Sequence, residues 1–201
     1  MSNYKFVRVR SIVLASVFVL LLPIFAAAQA VTVRLIGTDV FDPMGFMGDG
    51  FVGEFTDFGK LTCPSGKPTG ILDQPCSPGS RIHLRGISWK SRLESEDPLL
   101  AGDSFTEGNF NLDANATGRM EGTFRIELDD GGVWEGSWTG DKSKVENVEA
   151  WIIRIRGVGR GTGGSVDGMQ LRYTEVATIY TPLGFFWIGT VEGQILIPGS
   201  L

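Results

Sequence analysis

Glycine is the residue that most limits what this chain can become. All 28 glycines lie after residue 30, about one residue in six of the remainder and more than twice the ordinary share. In a helix interior each costs roughly 0.5–1 kcal/mol relative to alanine, so a helical bundle is excluded. Their placement says more than their number. An acid followed by glycine recurs at Glu121-Gly122, Glu135-Gly136, Asp167-Gly168 and Glu192-Gly193, inside or beside runs of strand character. A strand tolerates glycine where it bends sharply or approaches another backbone closely. Repeated around a sheet, such glycines permit the curvature that closes a barrel, with the acids on the opposite, solvent face.

The strands themselves show as alternation. Val31 to Val40 is β-branched and opens a sheet. From Arg81 onward, segments of about ten residues are separated by turn signals, the pattern of an all-β sandwich or barrel. Met120, Gly122, Phe124, Ile126 and Leu128 alternate with Glu121, Thr123, Arg125 and Glu127, one face apolar and one polar. Asp129-Asp130-Gly131-Gly132 has hairpin chemistry. Trp134, Gly136 and Trp138 then share a face, as do Trp151, Ile153, Ile155 and Gly157, with Arg154, Arg156 and Arg160 opposite. Strands through Met169, Leu171 and Tyr173, and through Phe185, Trp187, Gly189, Val191, Gly193, Ile195 and Ile197, complete the set. The expected fold is an all-β, closed or nearly closed antiparallel barrel of about eight strands; the alternative is a two-sheet sandwich.

Residues 1–30 stand apart as a cleavable secretory signal peptide. Lys5, Arg8 and Arg10 form a basic start, Ile12 to Phe25 an uncharged apolar stretch, and Ala26-Ala27-Ala28-Gln29-Ala30 a small-residue processing site, cut after Ala30 or Ala28. As a helix the apolar stretch covers about 21 Å, short of the ~30 Å needed to span a bilayer. The expected product is one all-β domain, 31–201, secreted or periplasmic and free of the membrane after cleavage. It keeps 15 basic groups against 23 acidic ones, a balance of −8. That argues against nucleic acid or an anionic membrane as partner.

Cys63 and Cys76 are the two cysteines, with twelve residues between them in a Pro- and Gly-rich stretch. In an oxidising compartment they pair, closing a loop worth about 3 kcal/mol in the chain-entropy model. Zinc would need four ligands, and His83 is the single histidine, so no metal is expected. The Phe/Gly-rich and disulfide-closed region at about 38–80 reads as loop. Half of the ten phenylalanines after residue 30 fall at 41, 46, 51, 55 and 58, fit either for a mouth over an apolar cavity or for a plug of ordinary core. Phe51, Phe55 and Phe58 have helical spacing, which Gly53 works against.

The motif search is mostly negative. Gly159-Arg160-Gly161-Thr162-Gly163-Gly164 matches the dinucleotide fingerprint, but another strand rather than a helix follows it, so no pyrophosphate seat is made and no cofactor is implied. His83, between Ile82 and Leu84, lacks an assignable nucleophile or orienting acid. Glu94, Glu96 and Asp97 read as a solvated turn, and the arginines at 154, 156, 160 and 172 as a polar face paired across strands. Asn115-Ala116-Thr117 is a glycosylation sequon by pattern.

Several of these stretches carry a likeness. Ser95-Glu96-Asp97-Pro98, Gly122-Thr123-Phe124, Trp134-Glu135-Gly136-Ser137-Trp138, and Gly161-Thr162-Gly163 before Asp167-Gly168-Met169 resemble uncharacterised secreted bacterial β-barrel proteins. They are similar in style to the allene oxide cyclase and dirigent barrels. The likeness covers roughly 81–197 and rests on glycine placement. It implies an eight-stranded, often oligomeric barrel with an apolar cavity; no catalytic residue of those families maps onto this chain.

Function is read accordingly. The first expectation is a barrel binding a small apolar ligand, with Trp134, Trp138, Trp151, Trp187 and Tyr173 as candidate cavity residues. A charged interior would count against it. The alternative is a cyclase- or isomerase-type enzyme, which predicts a buried carboxylate or tyrosine (Tyr173 or Tyr180) inside the barrel. A third is a structural or adhesive envelope protein with a filled barrel and an exposed apolar patch.

Overall fold

A computed structural model describes residues 31–43, 52–71, 74–180 and 187–198. Residues 1–30, expected to be a signal peptide, and Phe46, Phe51 and Phe185 lie outside the described residues. Among the described residues there are twelve strands in chain order: β1 (Val31–Phe41), β2 (Glu54–Asp57), β3 (Lys60–Thr62), β4 (Pro68–Ile71), β5 (Gln74–Cys76), β6 (Ile82–Ser95), β7 (Gly102–Leu112), β8 (Gly118–Leu128), β9 (Val133–Lys144), β10 (Trp151–Thr162), β11 (Gln170–Ile179) and β12 (Trp187–Ile197). From β6 to β12 each strand pairs antiparallel with the next, and β1 pairs with both β12 and β6. The ring is closed. This is the expected eight-stranded antiparallel barrel and not a two-sheet sandwich.

The alternation read from sequence is the alternation of the wall. Met120, Phe124, Ile126 and Leu128 of β8 and Leu171, Ala177 and Ile179 of β11 are buried, while their polar neighbours face out. Outside, Arg154 lies opposite Asp141 and Arg160 opposite Glu135 in register. Of the three acids expected in a turn, Glu94 is instead in β6, opposite Thr38 of β1, while Glu96 and Asp97 lie in the turn that follows, with Asp97 Oδ1 accepting from Leu99 N at 2.9 Å.

Strand β6 does double duty. Its C-terminal half pairs with β1 from Arg92 to Ser95, and its earlier half with the short strands β2 and β3. A bulge lies between Leu84 and Ile87, where Gly86 takes φ +68°, a conformation glycine adopts without strain. The backbone groups freed there find side-chain partners: Asn109 Oδ1 accepts from Gly86 N at 3.0 Å, and Arg85 donates to Phe110 O at 2.8 Å. The bulge flips the pattern of β6, so that Ile82 and Leu84 before it and Ile87, Trp89 and Leu93 after it all face inward.

Phe55 falls in a strand, not the helix that its spacing with Phe51 and Phe58 suggests. It packs edge-on to Phe41 at 4.9 Å. The disulfide is formed, Cys63 to Cys76 with Cα atoms 5.7 Å apart, beside the β4–β5 pair. The glycine-rich fingerprint runs from the end of β10 into a single 3-10 turn, Gly164–Val166, whose Val166 is fully buried.

Candidate functional site

The barrel interior is packed with rings but not filled. A cavity of about 70 Å³ remains, walled chiefly by Trp89, Trp138, Trp187, Phe110, Phe124 and Ile155. One water needs about 10–15 Å³ of such space, so a small molecule fits. Aromatic rings lie against the wall because glycines stand beneath them. A Cβ at Gly157 would run into the ring of Tyr173, its partner in register.

Of the five candidate residues, Trp138, Trp187 and Tyr173 border this cavity. Trp134 and Trp151 are buried, each at the start of its strand and so at opposite ends of the antiparallel β9–β10 pair, and they tie loops to the barrel. Trp134 Nε1 donates to Leu99 O and Trp151 Nε1 to Asn115 O, each at 2.8 Å. Trp89 also lines the cavity; the bulge before it breaks the alternation that would have revealed it. Tyr180 is exposed, and His83 alternates outward between buried Ile82 and Leu84.

Four titratable side chains line the cavity: Asp39, Lys142, Tyr173 and Glu175. Asp39 belongs to β1 and Glu175 to β11, with β12 between them. Gly189 of β12 is the register partner of both Asp39 and Ala177. An added Cβ there would stand 2.5 Å from Glu175 Oε1. The carboxyl of Glu175 thus lies over bare backbone, near enough to Asp39 for each carboxyl to shift the other's titration. Trp187 Nε1 donates to Asp39 Oδ2 at 3.0 Å. Asp39 Oδ1 and the nearby Ser91 Oγ are covered without a hydrogen bond of proper geometry.

The electrostatics follow from burial. Desolvation pushes Glu175 well above the ordinary carboxyl range, and the neighbouring Asp39 pushes it further. Asp39 is raised too, chiefly by burial, with the Trp187 indole, Ser91 and Glu175 pulling the other way. Both carboxyls are thus harder to ionise than free ones, and they titrate as a coupled pair. Burial, and after it Glu175 and Asp39, raises the Tyr173 phenol well above its usual value, so it stays protonated. Lys142, 3% exposed, is lowered to about 7 by desolvation, its Nζ 5.2 Å from the centre of the Trp151 ring. The interior is thus mostly apolar, with Asp39, Lys142, Tyr173 and Glu175 set among its rings. Among the described residues no cluster of three or more His, Cys, Asp or Glu is placed to hold a metal.

No protein-family model matches the chain, and no curated protein matches it. Among solved structures it is similar to a pterocarpan synthase dirigent protein. The identity is 11% and the TM-score 0.40, over 86% of this chain and 89% of that one. A likeness that distant carries no activity across.

Proposed function

We propose that this protein is an exported barrel that takes a small, largely apolar molecule with one polar group into its cavity. The observation that carries the reading is the Asp39–Glu175 pair, two buried carboxyls aimed at an otherwise apolar chamber. Burying them is costly, and apolar side chains would close the barrel more stably. As a polar handle in a ring-lined pocket they have a use, since such sites combine apolar walls with a few placed polar groups. The disulfide fits an oxidising compartment. No helix among the described residues is long and apolar enough to cross a membrane. The apolar-inside, charged-outside wall is also the reverse of a membrane barrel.

Tryptophan emission tests this directly, because three indoles line the chamber. A titration with butan-1-ol shifts the emission at concentrations where butane-sized alkanes bind more weakly, and Asp39→Asn with Glu175→Gln erases the preference. Identical responses to alcohol and alkane, unchanged in the double variant, would defeat the reading.

A second reading has its own observation: two coupled, buried carboxyls stand close to the buried Tyr173 phenol, whose titration they both raise. That is the equipment of a proton-transfer enzyme of cyclase or isomerase type, with Asp39 as base and Glu175 as acid. It requires that Glu175→Gln abolish turnover while leaving ligand uptake intact.

A further inference from the structure

The chamber wall carries a hydrogen-bond acceptor that no described residue satisfies. Asp39 Oδ2 takes the Trp187 indole N–H at 3.0 Å, while Asp39 Oδ1 is covered and has no hydrogen bond of proper geometry. Ser91, 2% exposed, stands beside it with its Oγ equally unmatched. Ser91 projects inward from β6 between Trp89 and Leu93, and both of these line the cavity. Among the described residues no lysine or arginine acts on Asp39 or Glu175. Lys90 and Arg92, on either side of Ser91, turn outward to Asp103. Lys142 has its Nζ against Trp151, which does not border the cavity. Two buried acids thus face a ring-lined space with no countercharge among the described residues, a costly arrangement that apolar side chains would avoid.

We infer that the ligand of this chamber is a small apolar ammonium, a protonated alkyl- or arylalkylamine whose N–H groups face Asp39 Oδ1 and whose tail lies among the rings. The inference rests on the chamber being a ligand site, and it names the polar group of that ligand. Three features select a cation over a neutral hydroxyl. An ammonium brings three donors and no acceptor, whereas a hydroxyl oxygen adds lone pairs beside two carboxyls. Burial holds both acids above the ordinary carboxyl range, and a positive charge at their oxygens works against that rise. The ring faces of the chamber also attract cations. Trp187, bonded to Asp39, meets Trp89 edge-on at 5.7 Å, so ring surface begins directly beside the carboxyl.

Butylammonium and butan-1-ol, alike in length and tail, test this by titration of tryptophan emission at neutral pH. The ammonium should bind at least about ten-fold more tightly than the alcohol, the margin of a charge-assisted hydrogen bond over a neutral one. That preference should survive in about 1 M salt, which screens the acids on the outer wall but not a buried pair. Asp39→Asn should abolish it. Equal or weaker binding of the ammonium overturns the proposal, as does a preference that vanishes in high salt or persists in the Asp39→Asn protein. The wild-type ratio and its salt dependence decide this whether or not the variant folds. If butan-1-ol shifts the emission and butylammonium binds no more tightly, the ammonium fails and the cavity reading stands. If neither shifts it, both fail.

Discussion

Gly189 shows how a single missing side chain assembles the candidate site. It sits between Asp39 and Ala177 in register, and the Glu175 carboxyl occupies the space its Cβ would take. Gly189→Ala therefore wedges a methyl between the two carboxyls, at a cost of about 1–3 kcal/mol for overpacking. The cause is testable by a double-mutant cycle in urea. In a Glu175→Ala background the atom that meets the methyl is gone, so most of the cost should vanish. Equal costs in both backgrounds would show that the methyl meets backbone instead. At this scale the sequence was half legible. Tyr173 was read inward by alternation with Leu171, and Glu175 continues the same parity toward Ala177 and Ile179. Asp39 likewise follows Leu35 and Gly37, and Lys142 follows Trp138 and Gly140. The alternation placed all three inside; the expectation that charges seek solvent hid them, and only the neighbour across β12 explains how two of them are tolerated.

Among the elements, the long strands were legible and the short ones were not, for a physical reason. Strands β8 to β12 each bury one face along their whole length, so their pattern has period two. Strands β2 to β5 are three or four residues each, too short to alternate, and β2 and β3 are strands because β6 offers them backbone partners. The disulfide then holds a piece of chain that does not complete the ring. In the Cys63→Ala/Cys76→Ala protein, loop-closure entropy worth up to about 3 kcal/mol is lost. That loss should fall on residues 60–80 alone, since the ring closes through β1, β6 and β12 without them. Limited proteolysis should cut between 63 and 76 while the near-ultraviolet tryptophan signal persists. A single cooperative loss of both would mean that this segment is part of the barrel's folding unit.

For the molecule as a whole, closure was beyond the reach of alternation, because sandwiches and barrels share the same period. What settles it is that β1 finds both β12 and β6, and closure is also what makes an interior where ionisable groups lose water from every side. Its signature should appear in the dependence of stability on pH. Glu175, and Asp39 with it, have folded pKa values above their unfolded ones. Their contribution is complete below the ordinary carboxyl range, near 4.5 for Glu175, and is lost as pH rises, at about 1.4 kcal/mol per pH unit for one proton. Lys142 runs the other way, from an ordinary 10.5 down to about 7, so its contribution is full above 10.5 and lost as pH falls toward 7. On the acid side, Asp103 is held below its ordinary 3.8 by Lys90 and Arg92, and that stability fades as pH falls below 3.8. The wild-type profile should therefore decline as pH rises out of the ordinary carboxyl range and gain the lysine's contribution between about 7 and 10.5. Glu175→Gln should flatten the decline above the ordinary carboxyl range. Lys142→Met should leave that decline untouched and remove the gain between about 7 and 10.5. Urea denaturation of the three proteins from pH 4 to 10 measures all of this. Parallel profiles would mean that water reaches these groups and that the chamber is not the dry, closed space from which the proposed chemistry follows.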